Sequence, residues 1–139
     1  MHINLHWMGE GLHFLAQSDK GHTLSYDSPQ EVGGTDRAAR PMEGLLSAML
    51  ACFSADVLSI LRKKRKTVET FFVEAQAERR PEPPQVFTSV KISLNLKSPD
   101  ATSADVERSI YLSRTKYCSA MAMFEAAGCT IDIFYTLMP

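Results

Sequence analysis

The chain has 139 residues, a formal net charge of −1 at pH 7 and an apolar fraction of 45%. These values fit a single domain over residues 1–139 with a real hydrophobic core, and they provide no polyanion-binding surface, so we expect no nucleic-acid partner. The N-terminal residues lack the order of a signal peptide and no window reaches 18 uninterrupted apolar residues, so we expect a cytoplasmic protein without membrane insertion.

The first forty residues predict three short antiparallel strands and then a loop. Short β-like runs at residues 3–7, 12–16 and 22–26 are separated by glycine-containing turns, which is typical of a β meander. Residues 27–40 contain Ser-Pro and Gly-Gly pairs, and this composition predicts a loop.

A long helix is predicted from Pro41 to about Lys64. Pro41 suits the first turn of a helix because its missing N–H would lack an intrahelical partner anyway. The apolar positions of this helix cover more than one stripe, so we expect it to be buried on most sides. A second copy of the chain is the natural supplier of that cover, which predicts a homodimer with an extensive apolar interface. The basic run at residues 62–66 is interpreted as a solvated helix end.

The second half of the chain predicts two strands, two shorter helices and a final strand. The predicted elements are strands over 68–79 and 86–97, a helix capped by Thr102 or Ser103, a helix over about 118–127 ended by Gly128, and a strand over 131–137. The resulting order of strands and helices is that of an α+β fold.

Two cysteines carry the chemistry of the chain. Cys52 lies within the long predicted helix, where a lone cysteine would be interpreted as a small buried hydrophobe. Cys118 lies where a helix begins, two residues after Lys116, and both features stabilise a thiolate. Asp56 follows Cys52 by one helical turn and would raise a thiol pKa. A thiol pair in a domain without an export signal, with an odd count of three cysteines, favours reduced thiols and redox chemistry over a disulfide framework.

A cation is required if Cys52 is the attacking thiol, because Asp56 opposes its ionisation. Arg37, Arg40 and Arg79 are the candidates, and Glu43 would orient whichever arginine serves. Glu43 precedes Cys52 by nine residues, which places the two on opposite faces of one straight helix. If both are catalytic, the site must span two chains.

Other kinds of site have weaker support in the sequence. Cys129 follows a predicted helix end and is assigned a structural role. His2, His6, His13 and His22 lie in the N-terminal strands without the compact spacing of zinc sites, so no metal is expected. Nucleotide, flavin, esterase and thioredoxin-type motifs are all missing from the sequence, and we expect no cofactor.

Motifs distributed along nearly the whole chain resemble one known family. They are Arg40-Pro41-Met42-Glu43-Gly44-Leu45-Leu46, Ala51-Cys52, Ala55-Asp56-Val57-Leu58-Ser59-Ile60-Leu61, Ala77-Glu78-Arg79-Arg80, Phe87-Thr88, Leu112-Ser113 and Lys116-Tyr117-Cys118-Ser119. Together they resemble the OsmC/Ohr family of osmotically inducible and organic hydroperoxide resistance proteins. The resemblance is closest to the OsmC-like branch that is often described as predicted redox proteins.

The resemblance implies a swapped homodimer in which antiparallel sheets wrap around long central helices that bear the cysteines. It also implies that Cys52 attacks the terminal oxygen of an organic hydroperoxide, that Cys118 resolves the sulfenic acid as a disulfide, and that a dithiol reductant restores both thiols. A glutamate at the position of Glu43 would pair with an arginine that holds the thiolate. Arg40 and Arg79 are candidates for that arginine, together with Arg37.

Two further functions stay open beside a peroxiredoxin-like thiol peroxidase. The first is a non-enzymatic dimer that binds an apolar ligand at its interface, with Cys52 and Cys118 as core residues. The second is a thiol-based redox sensor that acts on other proteins.

Overall fold

The computed structural model describes all 139 residues as an α+β fold with two three-stranded sheets and three α-helices. The chain divides into two compact units, residues 1–47 and residues 48–139. The expectation of a single domain stays a prediction.

The first unit contains the predicted β meander. Its strands are β1 (Ile3–Trp7), β2 (Phe14–Ser18) and β3 (Thr23–Tyr26), and both neighbouring pairs are antiparallel. The second strand begins two residues later than predicted because the His13 N–H donates a hydrogen bond to the Glu10 carbonyl and closes a turn there. The predicted loop follows β3 and includes one short 3₁₀ turn at Gln30–Val32.

The long helix α1 spans Pro41–Lys63, as predicted. Its first turn comes close to the ring of Tyr26, and a Cβ added at Gly44 would collide with that ring, so the glycine allows this close approach. Beyond the first turns, the buried side chains of α1 recur every four residues, at Met49, Phe53, Val57 and Leu61. Within one chain the helix therefore buries one stripe rather than most of its sides.

Helix α1 is also long and apolar enough to cross a membrane by length and composition alone. The core helices of soluble proteins often have the same length and composition, so this property does not distinguish a core helix from a membrane-spanning helix.

The second unit contains a mixed sheet formed by β4 (Thr70–Arg79), β5 (Phe87–Lys97) and β6 (Thr130–Met138). Strands β4 and β5 are antiparallel, whereas β5 and β6 are parallel. The expectation of purely antiparallel sheets is therefore wrong for this sheet. The physical reason is the long connection from β5 to β6, which contains two helices and carries the chain back to the starting end of the sheet.

The alternation predicted for β5 is confirmed. Val90, Ile92, Leu94 and Leu96 are all buried and form much of the core of the second unit.

The β5–β6 connection positions one of the two cysteines. Helix α2 (Ser103–Leu112) begins with a capping box between Thr102 and Asp105, which confirms the predicted helix start. A single π-helical turn, Ser113–Tyr117, follows it, and helix α3 spans Ser119–Ala126. The π-helical turn was not predicted, and its last hydrogen bond joins the Cys118 N–H to the Ser113 carbonyl at 2.8 Å.

Candidate functional site

Three ionisable side chains of the second unit converge on one place. The Sγ atoms of Cys52 and Cys118 and a carboxylate oxygen of Asp56 all lie within 4.8 Å of one another. Cys52 and Asp56 are one turn apart on α1 and therefore point to the same side of that helix. Cys118 comes from the far end of the π-helical turn. The structure thus brings together the two cysteines that the sequence singled out.

Cys118 is held at the start of α3. It is the N-cap residue of this helix, and its sulfur accepts a hydrogen bond of 3.4 Å from the Met121 N–H. Its side chain is only 3% exposed. The predicted contact with a helix N-terminus therefore exists, but it lies in a buried environment.

Burial raises the pKa of Cys118 to about 11, although the Met121 N–H opposes this rise, and the neighbouring Cys52 and Asp56 raise the pKa further. The Lys116 ammonium lies 5.4 Å from the centre of the Tyr117 ring, and the groups that act on the Cys118 pKa are Met121, Cys52 and Asp56. Cys118 is consequently a protonated thiol at neutral pH.

Asp56 has a fixed orientation. The hydroxyl of Ser113, a fully buried residue in the π-helical turn, donates a hydrogen bond of 2.9 Å to Asp56 Oδ2. Ser113 was missed as a site residue because its 57-position separation from Asp56 leaves no local pattern in the sequence. The only available signal was the Leu112-Ser113 pair among the motifs that resemble the OsmC/Ohr family.

The predicted partners of the cysteines have other contacts in the structure. In the first unit, Glu43 Oε2 accepts a hydrogen bond of 3.0 Å from the main-chain N–H of Arg40, which satisfies an amide at the start of α1. Arg37 forms an exposed ion pair with Glu10 at 2.7 Å. The assignment of a catalytic role to these three residues stays a prediction.

Arg79 lies at the end of β4 in the second unit. Its Nε donates a hydrogen bond of 2.6 Å to the Gln85 carbonyl, and its guanidinium lies 6.0 Å from the centre of the Phe87 ring. These contacts belong to the turn between β4 and β5, and the assignment of Arg79 as an activating residue likewise stays a prediction.

The third cysteine is separate from the cluster. Cys129 is buried just before β6, and its thiol donates to the neighbouring Thr130 carbonyl. Burial raises the pKa of Cys129, and the nearby Glu125 raises it further.

The histidines singled out in the sequence have other contacts. His2 is hydrogen-bonded to Asn4 and His13 to Ser25. The donor atoms that converge in the second unit are the sulfurs of Cys52 and Cys118 and one carboxylate oxygen of Asp56.

Comparisons with known proteins agree on one family. The family of OsmC-like proteins matches residues 34–134 of the chain. Protein YhfA of Escherichia coli strain K12 is 38% identical to this chain over 127 residues, which are 91% of each chain.

Solved structures show the same fold. One, described only as structural genomics, is 35% identical, covers 99% of this chain and 98% of its own, and has a TM-score of 0.87. Another comes from Legionella pneumophila and is named an organic hydroperoxide resistance protein OsmC, predicted redox protein and regulator of sulfide bond formation. It is 14% identical, covers 99% of this chain and 96% of its own, and has a TM-score of 0.64.

Proposed function

Because this chain belongs to the OsmC-like protein family, we propose that it is a two-cysteine thiol peroxidase that reduces organic hydroperoxides. The observation that carries the proposal is the approach of Cys52 Sγ and Cys118 Sγ to within 4.8 Å. A disulfide requires about 2.05 Å between the sulfurs, so they have to approach by less than about 3 Å.

The surroundings of the two thiols support different roles for them. Cys118 is buried and holds its proton, so it is a poor first nucleophile. Cys52 is only half-buried and is the thiol that a hydroperoxide can reach. We therefore assign the peroxidatic role to Cys52 and the resolving role to Cys118.

The reaction divides into three balanced steps. The Cys52 thiolate attacks the terminal oxygen of the hydroperoxide, the O–O bond breaks, and the alkoxide takes a proton and leaves as an alcohol. Cys118 then attacks the sulfur of the Cys52 sulfenic acid, which forms the disulfide and releases water. A dithiol reductant exchanges with the disulfide, becomes oxidised itself and restores both thiols.

Asp56 fits a proton-transfer role in the second step. Cys118 must lose its proton as its sulfur attacks, and the hydroxide that leaves Cys52 must gain one. The Asp56 carboxylate lies within 4.8 Å of both sulfurs, a distance that direct contact or one water can bridge. In this role the aspartate disfavours the thiolate form of the resting Cys118 but accepts its proton once Cys52 is oxidised.

The activating cation for Cys52 is proposed to come from a second copy of the chain. Arg40, Arg79 and Arg37 are the candidates, with Glu43 as the residue that orients the arginine. Glu43 cannot face Cys52 from the same straight helix, since nine residues separate them. A swapped homodimer, with its sheets around the central helices, would place these groups of one protomer near the thiols of its partner.

A large uncovered apolar surface supports the homodimer. One face of β1 carries Ile3, Leu5 and Trp7, which are 53%, 59% and 61% exposed in the single chain. Leu24 on β3 is 58% exposed as well. Exposed apolar side chains grouped in this way are typical of protein interfaces. A second copy of this chain is the proposed cover.

We also propose that the protein acts in the cytoplasm. All three cysteines are free, and the mechanism requires both site thiols to be reduced at rest. The reducing cytoplasm maintains thiols in that state, whereas exported proteins meet oxidising conditions.

Two alternatives lead to different measurements. A ligand-binding dimer would have thiols that stay unreacted with hydroperoxide, and a redox sensor would form the disulfide with a second protein as its target.

The test is stoichiometric oxidation of the reduced protein by cumene hydroperoxide, with mass spectrometry to map the paired cysteines. We expect a Cys52–Cys118 disulfide in the wild type and a trapped Cys52 sulfenic acid in Cys118→Ser. Cys129→Ser is the matched control and should oxidise like the wild type. Thiols that stay reduced after prolonged exposure, or full turnover by Cys52→Ser, would overturn the proposal.

A further inference from the structure

We infer that the reduced protein binds one thiophilic divalent cation of the zinc type through Cys52, Asp56 and Cys118. The convergence of these three donor atoms to within 4.8 Å carries the inference. It requires no peroxide chemistry and goes beyond the proposed peroxidase.

The spacing of the donors fits such an ion. Zinc–sulfur bonds of about 2.3 Å at tetrahedral angles place two sulfurs about 3.8 Å apart, so the donors need to move by no more than about 1 Å. Cys52 and Asp56 are already on one face of α1, which fixes two of the three donors on a rigid element.

The chemistry of the donors selects the kind of cation. Two thiolates are soft ligands that favour zinc over magnesium or calcium, and one carboxylate oxygen is a common third zinc ligand. Three protein ligands leave one of four tetrahedral positions open for water. Binding would displace the thiol protons, and the divalent charge would compensate for the mutual repulsion of the three anionic ligands that result.

The groups around the donors fit a bound ion as well. The Ser113 hydroxyl holds Asp56 Oδ2 at 2.9 Å and limits the orientations of the carboxylate. The Met121 N–H donates to Cys118 Sγ, an interaction that a metal-bound thiolate retains. Such contacts orient metal ligands and tune their affinity.

A bound cation and the disulfide use the same two sulfurs and therefore exclude each other. The ion would protect both thiols from oxidation, and oxidation would release the ion. This relation makes the cluster a site where metal occupancy and redox state are coupled.

The test is an anaerobic titration of the fully reduced protein with Co²⁺, followed by displacement with Zn²⁺. We expect a sulfur-to-cobalt charge-transfer absorption that saturates at one ion per chain and disappears when zinc is added. Prior oxidation to the disulfide should abolish the absorption.

Variants locate the site. Cys52→Ser and Cys118→Ser should lose the absorption, and Asp56→Asn should bind at least about tenfold more weakly, while Cys129→Ser should bind like the wild type. Circular dichroism checks that each variant is folded. The inference would be overturned if the reduced wild type lacked the absorption. It would also be overturned if Cys118→Ser and Asp56→Asn kept the absorption at wild-type strength. Because no hydroperoxide is present, either result is independent of the peroxidase test.

Discussion

The hydroxyl of Ser113 donates a hydrogen bond of 2.9 Å to Asp56, although the two residues are 57 positions apart in the chain. This bond joins the π-helical turn to α1. The same turn holds the main chain of Cys118 through the Ser113 carbonyl. Ser113 therefore contacts both Asp56 and Cys118, the two residues that act together in the proposed disulfide formation.

Substitution of Ser113 by alanine should slow the closure of the Cys52–Cys118 disulfide by about tenfold, since displacements near 1 Å at a reacting group cost up to about 100-fold in rate. The lost hydrogen bond should also lower the free energy of unfolding by about 1 kcal/mol. Rapid-quench alkylation after oxidation of Cys52 measures the rate.

Ser109→Ala is the matched control for that variant. Ser109 is equally buried, but its hydroxyl donates to the Asp105 carbonyl within α2. It should lose similar stability and keep the wild-type rate. Equal slowing in both variants would show that general destabilisation, rather than the orientation of Asp56, controls the closure.

Replacement of Asp56 by asparagine should lower the pKa of Cys118, because it removes a negative charge that disfavours the thiolate. Thiolate absorbance as a function of pH, measured in a Cys52→Ser, Cys129→Ser background, gives the shift. Glu125→Gln is the control. Glu125 raises the pKa of Cys129 rather than that of Cys118, so this substitution should leave the pKa of Cys118 unchanged.

The same substitution separates two roles of Asp56. If the carboxylate only repels a thiolate, Asp56→Asn will speed disulfide closure by increasing the thiolate fraction of Cys118. If it transfers a proton, the closure will slow even though the pKa falls. We expect the slower closure, and a faster one would refute the proton-transfer role.

The local elements of the fold were predictable because their signals are short-range. Pro41 at the start of α1, the capping box at Thr102 and the alternation along β5 each depend on residues within a few positions. The parallel pairing of β6 depends instead on where a long connection returns. Sequence periodicity contains no information on the direction in which a distant strand joins the sheet.

The two sulfurs of the candidate site could be predicted from the sequence, whereas the groups that surround them could not. Cys52 and Cys118 stood out by residue type and by family resemblance, but their proximity required the three-dimensional fold. The helix start at Cys118 suggested a stabilised thiolate. The structure reverses that expectation because the burial of Cys118 outweighs one N–H contact, and burial arises from packing that no local motif specifies.

The raised pKa of Cys118 predicts a loss of stability at alkaline pH. The folded pKa is about 11 and the unfolded value is 9.0, so the folded state retains a proton that the unfolded state releases between these values. The free energy of unfolding therefore contains a contribution that is complete below pH 9 and is lost as pH rises toward 11.

Urea unfolding from pH 8 to about 11, compared between the wild type and Cys118→Ala, measures this contribution through the difference in slope. The wild type should lose stability more steeply than the variant over this range. Parallel pH profiles would mean that the folded pKa of Cys118 is not raised. Lysines and tyrosines titrate in both proteins and cancel in the comparison.

The uncovered face of β1 provides a test of the proposed homodimer. Leu5→Glu places a charge in the centre of the Ile3, Leu5 and Trp7 face and should weaken dimerisation at least about tenfold, because a buried unpaired carboxylate costs several kcal/mol. Val32→Glu is the control, since Val32 is 64% exposed on the 3₁₀ turn outside this face. Light scattering during size-exclusion chromatography measures the mass. If the wild type elutes as a monomer, or if both variants stay fully dimeric, this face is not the interface. The proposed delivery of an activating arginine to Cys52 by a dimer built on β1 is then ruled out.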